Sequence, residues 1–230
     1  MAISPARELK IGKIIDKTLG VLERNAMPVA IFVLVLTAAS LPITYVSVAS
    51  KAPLTAAGGQ LLQSVVGIVC SYFLLMAMMR RTGLQSASGE DVFLPYLGMS
   101  ILSALAVMLG VIALVLPGLF LMVRWSIAQP VIVARGGGVM ASLGESWERT
   151  RGNEFPIFVA ALALLVPAIA VIIAVSVLFE ETNLVRMVVA QLASSGITGV
   201  FLGMGVALYG LIVGGSSEAS VPSEGPNVGA

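Results

Sequence analysis

Residues 155–179 read FPIFVAALALLVPAIAVIIAVSVLF, 25 positions in a row without a charged side chain. A helix of that length reaches about 37 Å, more than the roughly 30 Å of hydrocarbon in a bilayer. Similar runs occupy 27–48, 60–79, 97–116 and 187–213, and a sixth, interrupted one lies at 119–134. In lipid a chain must satisfy its own backbone polar groups, which a helix does within each segment. The expected fold class is therefore all-α: a polytopic transmembrane helix bundle of about six spans, plus two cytoplasmic-face amphipathic helices. The composition agrees, being 58% hydrophobic and 11% charged over 230 residues, where soluble domains are about a quarter charged.

The same numbers exclude several functions. Thirteen basic against twelve acidic residues leave a net charge of +1, so no global basic field exists to hold a nucleic acid. There is no His and a single Cys, Cys70, which removes Ser-His-Asp and Cys-His catalysis, most zinc or haem sites and any internal disulfide. The carboxylates fall in loops, amphipathic segments or the tail, where Glu90-Asp91 and Glu180-Glu181 read as solvated charges. No catalytic residues, metal site or cofactor are expected.

Residues 1–26 are expected to form an N-terminal amphipathic helix starting near Ser4-Pro5, because Ile11, Ile14, Ile15, Leu19 and Leu22 follow one helical face. Lys10, Lys13 and Lys17 lie largely opposite them, an arrangement that suits the membrane surface and anionic lipid. The apolar residues here alternate with charges, unlike the apolar core of a secretory signal, so this segment is expected to be kept. A second amphipathic helix is expected near 139–152, with Val139, Met140, Leu143 and Trp147 as its apolar stripe and Arg149 and Arg151 at the surface. The six-span domain would cover 27–213, and the Gly/Ser-rich stretch 214–230 would be a disordered tail.

The stretch 97–134 allows two readings. Either Pro117-Gly118 turns the chain and 119–134 returns as a short or broken helix, or one span ends near Val123 and the following residues to Glu154 lie outside. Lys and Arg collect in short cytoplasmic loops. Six spans place ten of them, from Arg7 to Arg151, on the cytoplasmic side and leave Lys51 and Arg186 outside, whereas five spans largely erase the asymmetry. Six spans with both termini cytoplasmic follow.

Arg124 is the one ionisable residue inside an apolar segment, and a charge there faces a cavity, a partner or the headgroups. With Trp125 and Gln129 it is a candidate binding spot for a lipid phosphate or small solute; the alternative is an Arg that snorkels to the headgroups. Pro117, Gly118 and Pro130 are candidate hinge or turn positions. Gly199 and Gly203 have the small-xxx-small spacing used for close helix packing, within the bundle or in an oligomer. Leu19-Gly20 followed by Glu23-Arg24-Asn25 and Pro28 is echoed by Leu143-Gly144 followed by Glu148-Arg149, Asn153 and Pro156. This suggests a repeated unit of surface helix, elbow and two-span hairpin.

The run Leu116-Pro117-Gly118-Leu119-Phe120-Leu121-Met122-Val123-Arg124-Trp125-Ser126, continuing through Gln129-Pro130 to Ser146-Trp147-Glu148-Arg149-Thr150-Arg151-Gly152-Asn153, resembles the bacterial YciC-like membrane proteins. It also resembles the membrane domain attached to some glycerophosphodiester phosphodiesterases, and the opening LKIGKIIDKTLGVLERN is similar to the first helix of that group. The resemblance implies an integral inner-membrane protein without an agreed activity, here lacking a phosphodiesterase domain. Two departures stand out: Ala134-Arg135-Gly136 where relatives often carry Glu, and Leu208-Tyr209-Gly210 where they often have a basic run. The expected role is non-enzymatic, organising membrane lipids, anionic ones above all, or partner proteins in the bacterial envelope, with a homo-oligomer or a membrane partner within reach. A small transporter or lipid-moving protein with a polar cavity near Arg124 and Gln129 is the alternative.

Overall fold

The computed structural model describes residues 9–50, 52–84, 92–113, 115–180 and 183–214, and among them it contains helices and no strand. In chain order these are α1 (Ile11–Arg24), α2 (Ala26–Ser50), α3 (Pro53–Arg81), α4 (Phe93–Ala113), α5 (Val115–Arg124), α6 (Ala128–Arg135), α7 (Val139–Arg149), α8 (Glu154–Leu178) and α9 (Leu184–Tyr209). A π-helical turn, Gly210–Gly214, continues α9. Six stretches are long and apolar enough to cross a membrane: α2, α3, α4, the α5–α6 pair, α8, and α9 with its last turn. The chain is built as a multi-pass membrane protein, an all-α bundle.

The bundle is organised around α9, whose small residues let neighbours approach. From its start toward its end, Gln191 accepts a hydrogen bond from Gln63 of α3 (3.4 Å) and Ser195 meets Thr37 of α2 (3.3 Å). A Cβ on Gly199 would touch Val29 at 3.5 Å, one on Gly203 would press Leu22 of α1 at 2.7 Å, and one on Gly205 would meet the Ser126 carbonyl oxygen at 3.0 Å. The partners run backward along α2 into α1, so α9 is antiparallel to α2. Gly199 and Gly203 thus serve packing inside the chain, and the contact least able to give is at Gly205, where the neighbour is backbone at the α5–α6 break rather than the end of a side chain.

Several boundaries differ from the sequence expectation. The first helix starts at Ile11 rather than near Ser4-Pro5: Lys10 is extended, and the Leu9 N–H donates to Asn153 Oδ1 (2.7 Å) instead of entering a helical ladder. Ser4-Pro5, the acidic loop pair Glu90-Asp91 and the tail beyond Gly214 lie outside the described residues. Most of the connection expected at 51–59 is the first two turns of α3, which Pro53 opens at a position needing no N–H donor. Pro117 and Pro130 both occupy the third position of a helix, α5 and α6, so they start helices rather than kink them. Gly118 lies inside α5 and is buried, its backbone about 3.0 Å from where a Cβ of Gly110 would stand, so it marks the tight α4/α5 approach and not a surface turn.

The two halves share an elbow. Asn25 separates α1 from α2 and Asn153 precedes α8; both are buried, and their carbonyls accept the N–H groups of Val29 (2.9 Å) and Ile157 (3.1 Å). Pro28 and Pro156 stand at the third position of the helices that follow. The repeated order of amphipathic helix, Asn elbow and two long helices is thus present in the structure.

Candidate functional site

The break between α5 and α6 creates a backbone problem that α7 solves. In a continuous helix the Ala128 N–H would bond the Arg124 carbonyl, but it bonds Trp125 O at 3.0 Å instead. The orphaned Arg124 carbonyl accepts the hydroxyls of Ser146 (2.8 Å) and Thr150 (3.2 Å), both fully buried. The guanidinium of the same residue points to the same neighbours: Nη1 donates to the Trp147 carbonyl at 3.0 Å, and Nη2 pairs with Glu154 Oε1 at 2.9 Å. Its central carbon lies 4.8 Å from the Trp147 ring centre and 5.2 Å from that of Phe120, and these rings meet edge to face.

Arg124 is 7% exposed and therefore neither snorkels to headgroups nor faces an open polar space. It fastens α5 to α7 and to the start of α8. Trp125 and Gln129 are not among its partners. The crevice beside α5, lined by Val123, Ser126, Ile157, Phe158 and Met204 among others, measures about 60 Å³, far below the roughly 300 Å³ at which small-molecule sites begin. Sequence reasoning singled out Arg124 correctly as exceptional but missed Glu154, Ser146 and Thr150. The visible signal was a carboxylate opening a charge-free helix directly after an Asn elbow.

The inward face of α7 is also rotated from the expected stripe. Ser142, Leu143, Ser146 and then Thr150 point in, while Met140 is 74% exposed, because the Arg124 carbonyl needs hydroxyl donors. Trp147 serves Arg124, and Arg149 and Arg135 both pair with Glu145 at 2.7 Å. Arg151 is exposed.

The basic residues of α1 behave differently. Ile14, Thr18 and Val21 are buried, and the helix packs by that side on α8 and α9. Lys13, Lys17 and Arg24 lie four and seven residues apart, on one stripe with Gly20, and are exposed. This stripe, with Asp16, walls a cleft of about 400 Å³, whose other sides are Thr82 and Leu84 after α3 and Val206 and Gly210 at the end of α9. Among the described residues no carboxylate forms an ion pair with Lys13, Lys17 or Arg24, whereas Arg124, Arg135 and Arg149 are all answered within the chain. Lys10, just before α1, is exposed and does not line the cleft. Among the described residues no group of His, Cys, Asp and Glu side chains could hold a metal.

No protein-family model, curated protein or solved structure matches this chain.

Proposed function

We propose that the chain is a non-enzymatic protein of the bacterial cytoplasmic membrane, with both termini cytoplasmic, that organises anionic lipid at that face and, through it, partner proteins. The observation that carries the reading is the basic stripe of α1, without an ion-pair partner among the described residues and held at one end of a six-span bundle by the helix's apolar side. Short connections make successive spans alternate, so α1, α7 and the ends of α3 and α9 share one end of the bundle with most of the basic side chains. By the positive-inside tendency this is the cytoplasmic end. The likeness to YciC-like inner-membrane proteins belongs to the same reading.

Two experiments test it. In a Cys70→Ser background, single cysteines replacing Gly138 and Glu180, both exposed, should react with an impermeant thiol reagent from opposite faces, Glu180 from outside in intact cells. Labelling of both from one face would overturn the orientation. Lipid extracted with the purified protein should be enriched in anionic species over the membrane it came from, and joint Lys10, Lys13 and Lys17→Gln replacement should lower that enrichment, as should high salt. Co-purified lipid in bulk proportion would overturn the lipid reading.

A further inference from the structure

We infer that the cleft between α1, the end of α3 and the end of α9 is a discrete binding site for one anionic phospholipid, with its headgroup phosphate among Lys13, Lys17 and Arg24. The inference rests on the proposed lipid reading but assigns it to a single place.

Four features converge there. The cleft stands at the ends of two spanning helices, since Thr82 caps α3 and Gly210 ends α9. At that depth a bilayer presents phosphodiesters. Among the described residues of the lining, three cations face one carboxylate, Asp16, an excess of positive charge that favours a headgroup of net negative charge over a zwitterionic one. Arg24 supplies a planar fork that matches phosphate oxygens, and Lys13 and Lys17 add point charges. Asp16 can accept from a hydroxylated headgroup such as glycerol.

Second, the floor is apolar, formed by Val21, Leu84 and Val206. A free inorganic ion gains nothing from such a floor, whereas the glycerol backbone and first methylenes of a lipid bury against it. Third, the volume of about 400 Å³ lies within the roughly 300–1,000 Å³ of small-ligand sites. Fourth, two glycines keep the space open. A Cβ on Gly20 would meet nothing within 4 Å, and at Gly210 α9 changes to its wider π-helical turn, a feature that often accompanies functional sites.

Gly20 makes the test clean. Gly20→Leu removes no charge and meets no protein atom at its Cβ, and it replaces a residue that destabilises a helix interior relative to Ala. The full-length protein, stripped of lipid in detergent micelles, is titrated with phosphatidylglycerol or phosphatidylcholine and read by native mass spectrometry, with thermal melting as the folding control. The expected result is one phosphatidylglycerol per chain, bound at least tenfold more tightly than phosphatidylcholine. Gly20→Leu should lose at least tenfold of that affinity while melting no lower than wild type, and Lys17→Gln with Arg24→Gln should lose a comparable amount. Should Gly20→Leu misfold, the charge pair carries the test alone.

If Gly20→Leu folds and binds phosphatidylglycerol like wild type, the cleft is not the site. Anionic enrichment that then still falls with joint Lys10, Lys13 and Lys17→Gln would leave the general lipid reading standing. Equal affinity for both lipids in the wild type would overturn the site, and co-purified lipid in bulk proportion would overturn the general reading separately. Displacement of the lipid by an equal concentration of inorganic phosphate would overturn the assignment to a lipid in favour of a soluble phosphate.

Discussion

Arg124→Met is expected to cost about 3 kcal/mol of stability, lowering the folded-to-unfolded ratio roughly a hundredfold. Breaking a buried ion pair costs about 3–5 kcal/mol, and the lower end applies because the Glu154 side chain keeps 30% exposure and can recover some hydration. The substitution also removes the donor to the Trp147 carbonyl and the charge between two aromatic rings. Arg124→Lys should recover part of the loss, because an ammonium keeps the charge but cannot bridge Trp147 O and Glu154 in one plane. In Arg124→Met with Glu154→Gln the combined loss should fall short of the sum by about 1–2 kcal/mol, the signature of a shared interaction. Thermal melting of the wild type, Arg124→Met, Arg124→Lys, Glu154→Gln and the double variant in one detergent measures all of this. Unchanged melting in Arg124→Met, with loss of a bound solute or lipid, would restore the cavity reading of this residue.

Gly205→Leu should approach the same loss and should separate from its neighbours in a graded way. At Gly205 the added carbon meets the Ser126 carbonyl oxygen at 3.0 Å and the Pro130 ring at 3.3 Å, backbone and a rigid ring that cannot turn aside. Overpacking of this kind costs about 1–3 kcal/mol and here would force α9 away from the α5–α6 break. At Gly203 the obstacle is the end of the Leu22 side chain, which can change rotamer, so Gly203→Ala should be milder and be relieved by Leu22→Ala. Gly199→Ala meets Val29 at an ordinary contact distance and should be close to neutral. Melting temperatures in the order Gly199→Ala, Gly203→Ala, Gly205→Leu, from highest to lowest, are expected. If Gly205→Leu melted like wild type, the close approach at the break would be wrong.

Hydropathy made the spans legible because a bilayer imposes one requirement, length without charge, that each segment meets by itself. The runs at 27–48, 155–179 and 187–213 accordingly lie within α2, α8 extended by one residue, and α9 with its last turn. The same local logic exposed the amphipathic helix of α1 and the broken return after Pro117. It failed at 51–59, where two glycines and a lysine read as a loop but Pro53 opens a helix. It failed also for the inward side of α7, where periodicity ranked Met140 and Trp147 above the serines. Hydrophobicity cannot see that a carbonyl 22 residues earlier lacks its donor.

What the amino-acid sequence determined by itself, then, was the class: a six-span helical bundle with its charge gathered into short segments, since apolar length and charge position are properties of each segment alone. Only the tertiary structure decided which charges are already answered. Arg124 and Arg135 find Glu154 and Glu145 because α5, α6, α7 and α8 come together at one end of the bundle, whereas Arg149 meets Glu145 one turn earlier in the same helix. Lys13, Lys17 and Arg24 line a cleft with no ion-pair partner among the described residues, because α1 docks with its apolar side on α9 beside the end of α3. Apart from the pair within α7, pairing depends on distance between separate helices. For that reason Arg124, the charge most conspicuous in the sequence, is a structural fastening, while three ordinary surface cations outline the candidate site.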